Sequence, residues 1–240
     1  MIDLTHAIPA HDVRAGATVL RGAVPYLPAG VHMAVVDPEV GAVGAHHRRA
    51  VALRTAREDR LLVGPDNGLL MPAADRLDGV VEAVDIGRSP ERLEPVSRTF
   101  HGRDIFAPVA AALAAGTPLA EVGDPLAVDG LRRLELPRAR VADGALAAHV
   151  LRLDNFGNLI LDACGDQLAE LGARPGDALA VRHAGRVHTA RYVATFADVP
   201  AGRLLIYEDA QRMIALAVNR GSAAELLAAS RDDELVVRPA

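Results

Sequence analysis

The sequence predicts an α/β protein, with a layered N-terminal α/β domain followed by a small C-terminal all-β barrel. In the first half, short β-branched runs alternate with alanine-rich helical stretches, which is typical of an α/β layer. In the second half, short alternating strands follow one another between turns, which is typical of a barrel or a sandwich. A stretch rich in Gly, Pro and charges lies between them. We therefore predict an N-terminal domain at 1–118, a linker at 119–144 and a β-barrel domain at 145–240.

Two buried strands and one helix are expected in the first domain. The apolar, β-branched or leucine-rich runs Val31–Val36 and Arg60–Val63 each precede a loop rich in Gly, Pro, Asp or Asn. A helix is expected at Asp104–Ala115, because Asp104 is a suitable N-cap and Gly116 stands where a helix commonly stops.

The second domain is expected to consist of short strands joined by tight turns. One turn is expected at His183–Arg186, and the segment Leu153–Asp162 has the pattern of a hairpin. The strands are expected at Ala147–Leu153, Ala178–His183, Arg186–Val193, Arg203–Glu208 and Arg212–Asn219.

Composition excludes several classes of partner. All 26 basic residues are arginine, the formal net charge is −5 and only 3% of residues are aromatic, which argues against a nucleic-acid partner. No apolar run is long enough to cross a bilayer, and the N-terminus lacks the pattern of a signal peptide. We therefore expect a cytoplasmic protein with no membrane partner. The single cysteine, Cys164, can form neither an intrachain disulfide nor a thiolate metal site.

Asp37 begins the first of four segments that could carry chemistry. It ends a predicted strand, and the loop beyond it leads to Arg48 and Arg49. Ligands of an α/β sheet bind beyond the carboxyl ends of its strands, so Asp37 would face a crevice with one of these arginines folded back onto it. Taken alone, the segment is better interpreted as a surface turn that carries solvated charges.

Two further loops carry polar groups next to glycine. Asn67 lies in GPDNGLL, where a structural turn is the better interpretation and ligand contact by the amide is the second. His101 and Gly102 lie in TFHGRD, directly before the predicted helix. A histidine at a helix N-terminus tends to stay neutral, and Gly102 allows close approach of the backbone. This segment therefore favours a site over simple helix capping.

The fourth segment is the hairpin LDNFGNLILD. Asp154, Phe156 and Asn158 present a carboxylate, an aromatic ring and an amide within five positions. Such groups would hold an amino group and a purine, although a hairpin alone would explain every residue.

No metal site or common nucleotide motif is expected. HExxH and Cys/His spacings are absent, and the adjacent residues His46 and His47 cannot easily share one ion. The patterns GxSxG, GxxxxGK[ST] and GxGxxG are also absent, which argues against the usual serine hydrolase, P-loop and dinucleotide-binding folds.

Six segments together resemble the S-adenosylmethionine hydroxide adenosyltransferase family, which also contains the adenosyl halogenases. They stand in the family's order over nearly the whole chain: DLTHAIPAHDV, VVDPEVG followed by paired arginines, VGPDNGLL, TFHGRDIFAPVAA, LDNFGNL and AVNRGSAAELL. The resemblance implies an α/β domain, a C-terminal β-barrel and a homotrimer, with each site between one subunit's first domain and its neighbour's barrel. It also implies hydrolysis of S-adenosylmethionine to adenosine and L-methionine, without a cofactor.

The family's catalytic Asp–Arg–His set maps onto Asp37, Arg48 and His101. The resemblance implies that Asp37 accepts a hydrogen bond from the attacking water, Arg48 orients Asp37, and His101 completes the hydrogen-bonded chain. Arg49 is the alternative to Arg48, because the loop from Asp37 is longer than the family's usual spacing. The implied substrate-binding residues are Asn67 and Gly102, with Asp154 for the methionine amino group, Phe156 and Phe196 for the adenine faces, and Asn158 for the adenine edge.

One comparison with the halide-using relatives and two further departures from the family pattern bear on the alternatives to hydrolysis. Halide-using relatives tend to carry tyrosine where this chain has Asp37 and His101, so halogenation is less favoured than hydrolysis. Met1 almost adjoins DLTH, where family members have a further strand and a TDFG-like segment. Either the true start lies upstream of Met1, or the chain has lost part of its substrate site, which would suit a non-catalytic adenosyl-ligand binder or a truncated inactive homologue. Glu39 stands where the family usually has glycine, and its side chain could narrow the pocket.

Overall fold

The chain forms two units, a mixed α/β unit followed by a closed β-barrel. The structure is a computed structural model that describes residues 1–44 and 47–240. Its contacts divide the chain into Met1–Glu135 and Leu136–Ala240. The predicted mixed α/β fold with a C-terminal barrel is confirmed. Within the described ranges no helix is both long and apolar enough to span a membrane.

The described part of the first unit is built on a five-stranded sheet. Its strands are β1 (Val31–Met33), β2 (Ala50–Thr55), β3 (Leu61–Pro65), β4 (Val80–Asp85) and β5 (Asp124–Pro125). Their order is β1-β3-β2-β4-β5. β1 runs parallel to β3, and every other neighbouring pair in this order is antiparallel.

The first strand is shorter than predicted, and this places the chain after it outside the sheet. Pairing of β1 with β3 ends at Met33 and Val63, so Asp37 stands in a loop beyond the sheet edge. β2 begins at the same edge because it runs antiparallel to β3, with Ala50 opposite Pro65. The fold therefore brings both ends of the loop that contains Asp37 to one edge of the sheet.

Alternate residues of β2 enter two different apolar clusters. Val51 and Leu53 belong to one cluster and Ala50 and Ala52 to another. Successive side chains of a strand point to opposite faces, so the clusters lie on opposite faces of the sheet. The described helices of this unit, α1 (Val13–Ala23) and α2 (Met71–Arg76), contribute to the first cluster, and α3 (Ala107–Ala114) contributes to the second.

The helical segment predicted to begin at Asp104 begins two residues earlier, and its first turn is π-helical. A π-helical turn at Gly102–Phe106 precedes α3, and His101 occupies its N-cap position. Asp104 is therefore not the N-cap, because it lies inside this turn and its carboxylate accepts a hydrogen bond from the Ser97 amide at 2.7 Å. Gly116 follows the end of α3 as predicted, with a φ of +105° that favours glycine.

The segment predicted as a linker, 119–144, is largely folded into one unit or the other. Residues 119–135 belong to the first unit, where Leu119 and Val122 are buried and β5 pairs with β4. Further along, β6 (Arg140–Ala142) belongs to the second unit. Composition conceals these elements because their few apolar residues stand among Gly, Pro and charged residues.

The second unit, all of whose residues are described, is a closed barrel. Besides β6 its strands are β7 (Ala145–Leu153), β8 (Leu159–Cys164), β9 (Ala178–His183), β10 (Arg186–Tyr192), β11 (Leu204–Glu208), β12 (Met213–Val218) and β13 (Glu234–Pro239). β7 pairs with both β8 and β13, so β7 to β13 close on themselves while β6 lies beside β7. Two short helices, α4 (Gly165–Glu170) and α5 (Ala223–Leu227), complete the unit.

Both predicted turns are present in the barrel. His183 pairs with Arg186 across a two-residue turn whose central residues have positive φ, as tight hairpins require. Leu153 pairs with Leu159 across the Asn-Phe-Gly-Asn segment, which makes it the predicted hairpin. The five predicted strands match β7 and β9 to β12 within two residues at each end.

Candidate active site

Three side chains of the first unit are in direct contact: Asp37, Arg48 and His101. Nε of Arg48 donates to both oxygens of Asp37, at 2.9 Å to Oδ1 and 3.0 Å to Oδ2, and its Nη2 also donates to Oδ2. The same Nη2 lies 2.8 Å from Nδ1 of His101. The structure thus brings together the three residues that the sequence analysis assigned to catalysis.

The three residues stand at the ends of structural elements. Asp37 follows β1, Arg48 precedes β2, and His101 is the N-cap of the π-helical turn. Because β1 is parallel and β2 antiparallel to β3, the loop that leaves β1 and the loop that enters β2 meet at one edge of the sheet. The polar groups therefore meet through the topology, not through proximity in sequence.

The contact between Asp37 and Arg48 is largely withdrawn from solvent. The side chain of Arg48 is 4% exposed and that of Asp37 is 7% exposed. Cζ of Arg48 lies 5.4 Å from the centroid of the Phe106 ring, within the range of a cation–π interaction. A buried charge is costly without a partner, and here the carboxylate and the guanidinium offset each other.

Burial and the contact with Arg48 both favour the neutral form of His101. The guanidinium of Arg48 has only N–H donors, so Nδ1 of His101 acts as the acceptor and the ring proton lies on Nε2. Burial of the ring lowers the pKa of His101, and the positive charge of Arg48 lowers it further against opposing effects of Asp37 and Asp104. The sequence analysis expected a neutral histidine because of the helix N-terminus, whereas burial is the main cause.

Arg49 is directed to a different carboxylate. Its Nε and Nη2 donate to Oδ2 of Asp66, at 2.8 Å and 2.5 Å, and Nη2 also donates to the Gly130 carbonyl. Asp66 is buried. Of the two adjacent arginines, Arg48 is therefore the one that contacts Asp37.

A cavity of about 350 Å³ borders the contact between Arg48 and His101. Pockets that bind small ligands commonly have volumes of about 300 Å³ or more, so this cavity can hold a small organic molecule. Its polar lining also includes His47 and two carboxylates, those of Asp85 and Asp124. The cavity gives a ligand or a water molecule access to the Arg48–His101 contact.

The remaining predicted residues of the first unit differ in their surroundings. Nδ2 of Asn67 donates to the Val36 carbonyl at 2.8 Å, and its Oδ1 accepts from the Leu69 amide at 3.2 Å. Both contacts are structural, so ligand contact by Asn67 stays a prediction. A methyl group at Gly102 would be in ordinary van der Waals contact with the Phe100 ring, at 3.8 Å, and ligand contact by Gly102 stays a prediction.

In the barrel, Asp154 organises the turn that was predicted to bind substrate. Its Oδ1 accepts from the amides of Phe156 and Asn158, both at 2.9 Å, and its Oδ2 accepts from Nδ2 of Asn158 at 2.8 Å. Asn158 is buried, whereas Phe156 is 78% exposed. The carboxylate of Asp154 and the side-chain amide of Asn158 therefore already have hydrogen-bond partners within the turn. The binding roles of all three residues stay predictions.

Sequence analysis did not identify Tyr207, whose ring contacts that of Phe196. The rings of Phe196 and Tyr207 have centroids 4.9 Å apart and are tilted by 54°. Burial raises the pKa of the Tyr207 hydroxyl, and the negative charge of Asp154 raises it further. The chain has only three tyrosines, and this rarity was the one sequence signal that pointed to Tyr207. Because Tyr207 lies in a predicted strand and in none of the motifs, nothing else distinguished it.

Residues 1–44 and 47–240 contain no group of three or more His, Cys, Asp or Glu side chains that could hold a metal ion. His46, one of the two adjacent histidines considered as ligands, lies outside these ranges. The expectation of a metal-free site stays a prediction.

Both units match known protein domains. Residues 1–123 match the family described as SAM hydroxide adenosyltransferase N-terminal domain, and residues 148–236 match SAM hydroxide adenosyltransferase C-terminal domain. An (R)-S-adenosyl-L-methionine hydrolase of Salinispora tropica is 49% identical over 99% of this chain and 85% of that protein. A fluorinase of Nocardia brasiliensis is 29% identical over 93% of this chain and 82% of that protein. The solved structure of an uncharacterized conserved protein from Thermotoga maritima matches with a TM-score of 0.90 at 34% identity, covering 99% of this chain and 88% of that one.

Proposed function

Because the chain belongs to the S-adenosyl-L-methionine hydroxide adenosyltransferase family, we propose that it hydrolyses S-adenosyl-L-methionine to adenosine and L-methionine. The contact between Asp37, Arg48 and His101 carries the proposal. It joins a proton acceptor, a fixed positive charge and a neutral imidazole beside a cavity. The Salinispora tropica relative supports the same reaction, and its name specifies the (R) form of the substrate.

The reaction is a displacement at one carbon. The oxygen of a water molecule attacks C5′ of the ribose in line with the sulfonium, and the C5′–O bond forms as the C5′–S bond breaks. The electron pair of the broken bond stays on sulfur, so methionine leaves as a neutral thioether and needs no proton. The protein has mainly to orient the water and accept the proton that the water loses.

Asp37 is the proposed acceptor for that proton. Its two oxygens offer about four lone-pair sites, so Asp37 can accept a hydrogen bond from water while Arg48 remains bound. Arg48 orients the carboxylate and stabilises the developing hydroxide, and His101 supports Arg48 through Nδ1. Positioned acid–base assistance of this kind contributes on the order of 10²–10⁴ in rate.

The proposal extends to the rest of the substrate and to the assembly. Phe156 and Phe196 would contact the faces of adenine, Asn158 its edge, and Asp154 the amino group of methionine. The enzyme would be a cytoplasmic homotrimer without a cofactor, and its layered first domain would share each site with a neighbouring subunit's barrel. The family resemblance of these motifs supports all of these points.

Incubation in ¹⁸O-labelled water tests the reaction directly. Purified protein is mixed with S-adenosyl-L-methionine in chloride-containing buffer, and the products are identified by mass spectrometry. We expect adenosine that carries one ¹⁸O, with an equimolar amount of methionine. Asp37→Asn keeps the size of the side chain and should lose at least about 100-fold in rate. The matched control Asp75→Asn changes an exposed aspartate of the same unit and should not.

Each other outcome points to a different function. A halogenated nucleoside would identify a halogenase, and binding of S-adenosyl-L-methionine without any product would identify an adenosyl-ligand binder. Adenosine without the label would contradict attack of water at C5′.

A further inference from the structure

One side chain, that of Arg132, fastens both ends of the loop between Asp37 and Arg48. Nη1 of Arg132 donates to Oε2 of Glu39 at 2.9 Å, and Nη2 donates to the His47 carbonyl at 2.8 Å. Glu39 lies two residues after Asp37, and His47 directly precedes Arg48. The planar guanidinium of arginine has several fixed donors, which lets one residue bridge two acceptors.

Arg132 is itself held through its backbone. Its amide donates to Oδ1 of Asp66 at 2.8 Å, and the other oxygen of that buried carboxylate accepts from Arg49. The chain beyond Arg132 lies directly on the neighbouring turn, since a methyl group at Gly68 would come within 2.8 Å of the Leu134 nitrogen. The loop is therefore fastened to a buried part of its own unit.

We infer that Arg132 is a positioning residue for the proposed hydrolysis and that it acts through Glu39 and the His47 carbonyl. The inference rests on the proposed function. The loop contains two glycines with positive φ, so its backbone has freedom that these contacts restrict. A displacement of about 1 Å at a reacting group can cost on the order of 100-fold in rate. The sequence analysis considered that the Glu39 side chain could narrow the pocket, whereas in the structure its carboxylate accepts a hydrogen bond from Arg132.

Because the ion pair between Arg132 and Glu39 is partly exposed, a role in positioning can be distinguished from a role in folding. The side chains of Arg132 and Glu39 are 40% and 31% exposed, and pairs of such exposure contribute little to the free energy of unfolding. Loss of the pair should therefore change turnover much more than thermal stability. An effect on the position of Asp37 relative to bound substrate should lower kcat and leave KM nearly constant.

The test compares Arg132→Gln with the wild-type full chain. We expect kcat to fall by roughly 10–100-fold while KM stays within about threefold of the wild-type value. The melting temperature should stay within about 4 °C. Arg132→Lys can keep one of the two side-chain contacts and should be faster than Arg132→Gln. The matched control is Arg133→Gln, because this neighbouring arginine pairs with exposed Asp75 and should be replaceable without loss of turnover.

Two further measurements identify the contact through which Arg132 acts. Glu39→Gln should lower kcat in the same direction, and the double variant with Arg132→Gln should be no slower than Arg132→Gln alone, because the two side chains share one contact. Hydrogen–deuterium exchange of peptides spanning residues 37–49 should be faster in Arg132→Gln than in the wild type.

Several results would overturn the inference. These are a wild-type kcat in Arg132→Gln, an equal loss in Arg133→Gln, and unchanged exchange of the loop. If the wild type itself forms no adenosine, the proposed function and this inference fail together. If the wild type is active and Arg132→Gln is equally active, only the inference fails.

Discussion

Replacement of Arg48 by methionine should destabilise the first unit strongly. The side chains of Arg48 and Asp37 are 4% and 7% exposed, so the change leaves a buried carboxylate without its charge partner. Removal of one partner from a buried ion pair costs about 3–5 kcal/mol. Methionine keeps an apolar chain of similar length beside Phe106, so the loss reports mainly on the missing charge.

A second substitution separates the buried charge from lost packing. In the double variant Asp37→Asn/Arg48→Met, neither partner leaves an uncompensated charge, so this variant should be more stable than Arg48→Met alone. The control Arg133→Met breaks a pair whose side chains are 61% and 53% exposed and should cost at most about 1 kcal/mol. Because a typical domain has only about 5–15 kcal/mol of stability, the difference between the two variants is large.

Denaturant unfolding measures these free energies. The chain contains no tryptophan, so far-ultraviolet circular dichroism is the suitable signal. A loss below about 1 kcal/mol in Arg48→Met, no greater than in an exposed pair, would refute the argument from burial. A double variant that is less stable than Arg48→Met would refute the role of the uncompensated carboxylate.

Two further predictions concern His101 and Asp154. The pKa of His101 is lowered from 6.5, so the unfolded state takes up the proton first. Stability contributed by the neutral ring is present above pH 6.5 and is lost as the pH falls through the lowered folded-state pKa. A profile of kcat/KM should fall on the acid side with a midpoint below 6.5, and a midpoint above that value would contradict the prediction. Asp154→Ala removes the acceptor of three hydrogen bonds, so denaturant unfolding should show a loss of about 1–3 kcal/mol, which Asp154→Asn should partly restore. An unchanged free energy of unfolding in Asp154→Ala would contradict a stabilising role of these three hydrogen bonds.

The barrel is the part of the fold that the sequence predicts best. Its strands alternate between inward apolar and outward side chains and are bounded by turn residues, so the information is local. The strand Ala178–His183 is predicted with its observed bounds. The region 119–135 is different, because burial of Leu119 and Val122 depends on tertiary packing that their spacing does not reveal.

The candidate site is only partly predictable for a similar reason. Motif resemblance selects Asp37 and His101, but the choice between Arg48 and Arg49 depends on where two adjacent side chains go in three dimensions. Arg49 is taken up by Asp66, which the sequence cannot show. Arg132 carries no local signal at all, since every basic residue of the chain is an arginine and its partner Glu39 lies 93 positions away.

The charges of the Asp37–Arg48 contact also bear on the choice between water and halide as the nucleophile. The positive charge of Arg48 is offset by the carboxylate beside it, so the pair attracts an anion only weakly. A carboxylate repels a halide but accepts a hydrogen bond from an O–H group, which water has and a halide lacks. If Asp37 accepts the proton of the attacking group, as proposed, its buried carboxylate therefore favours water over a halide as the nucleophile.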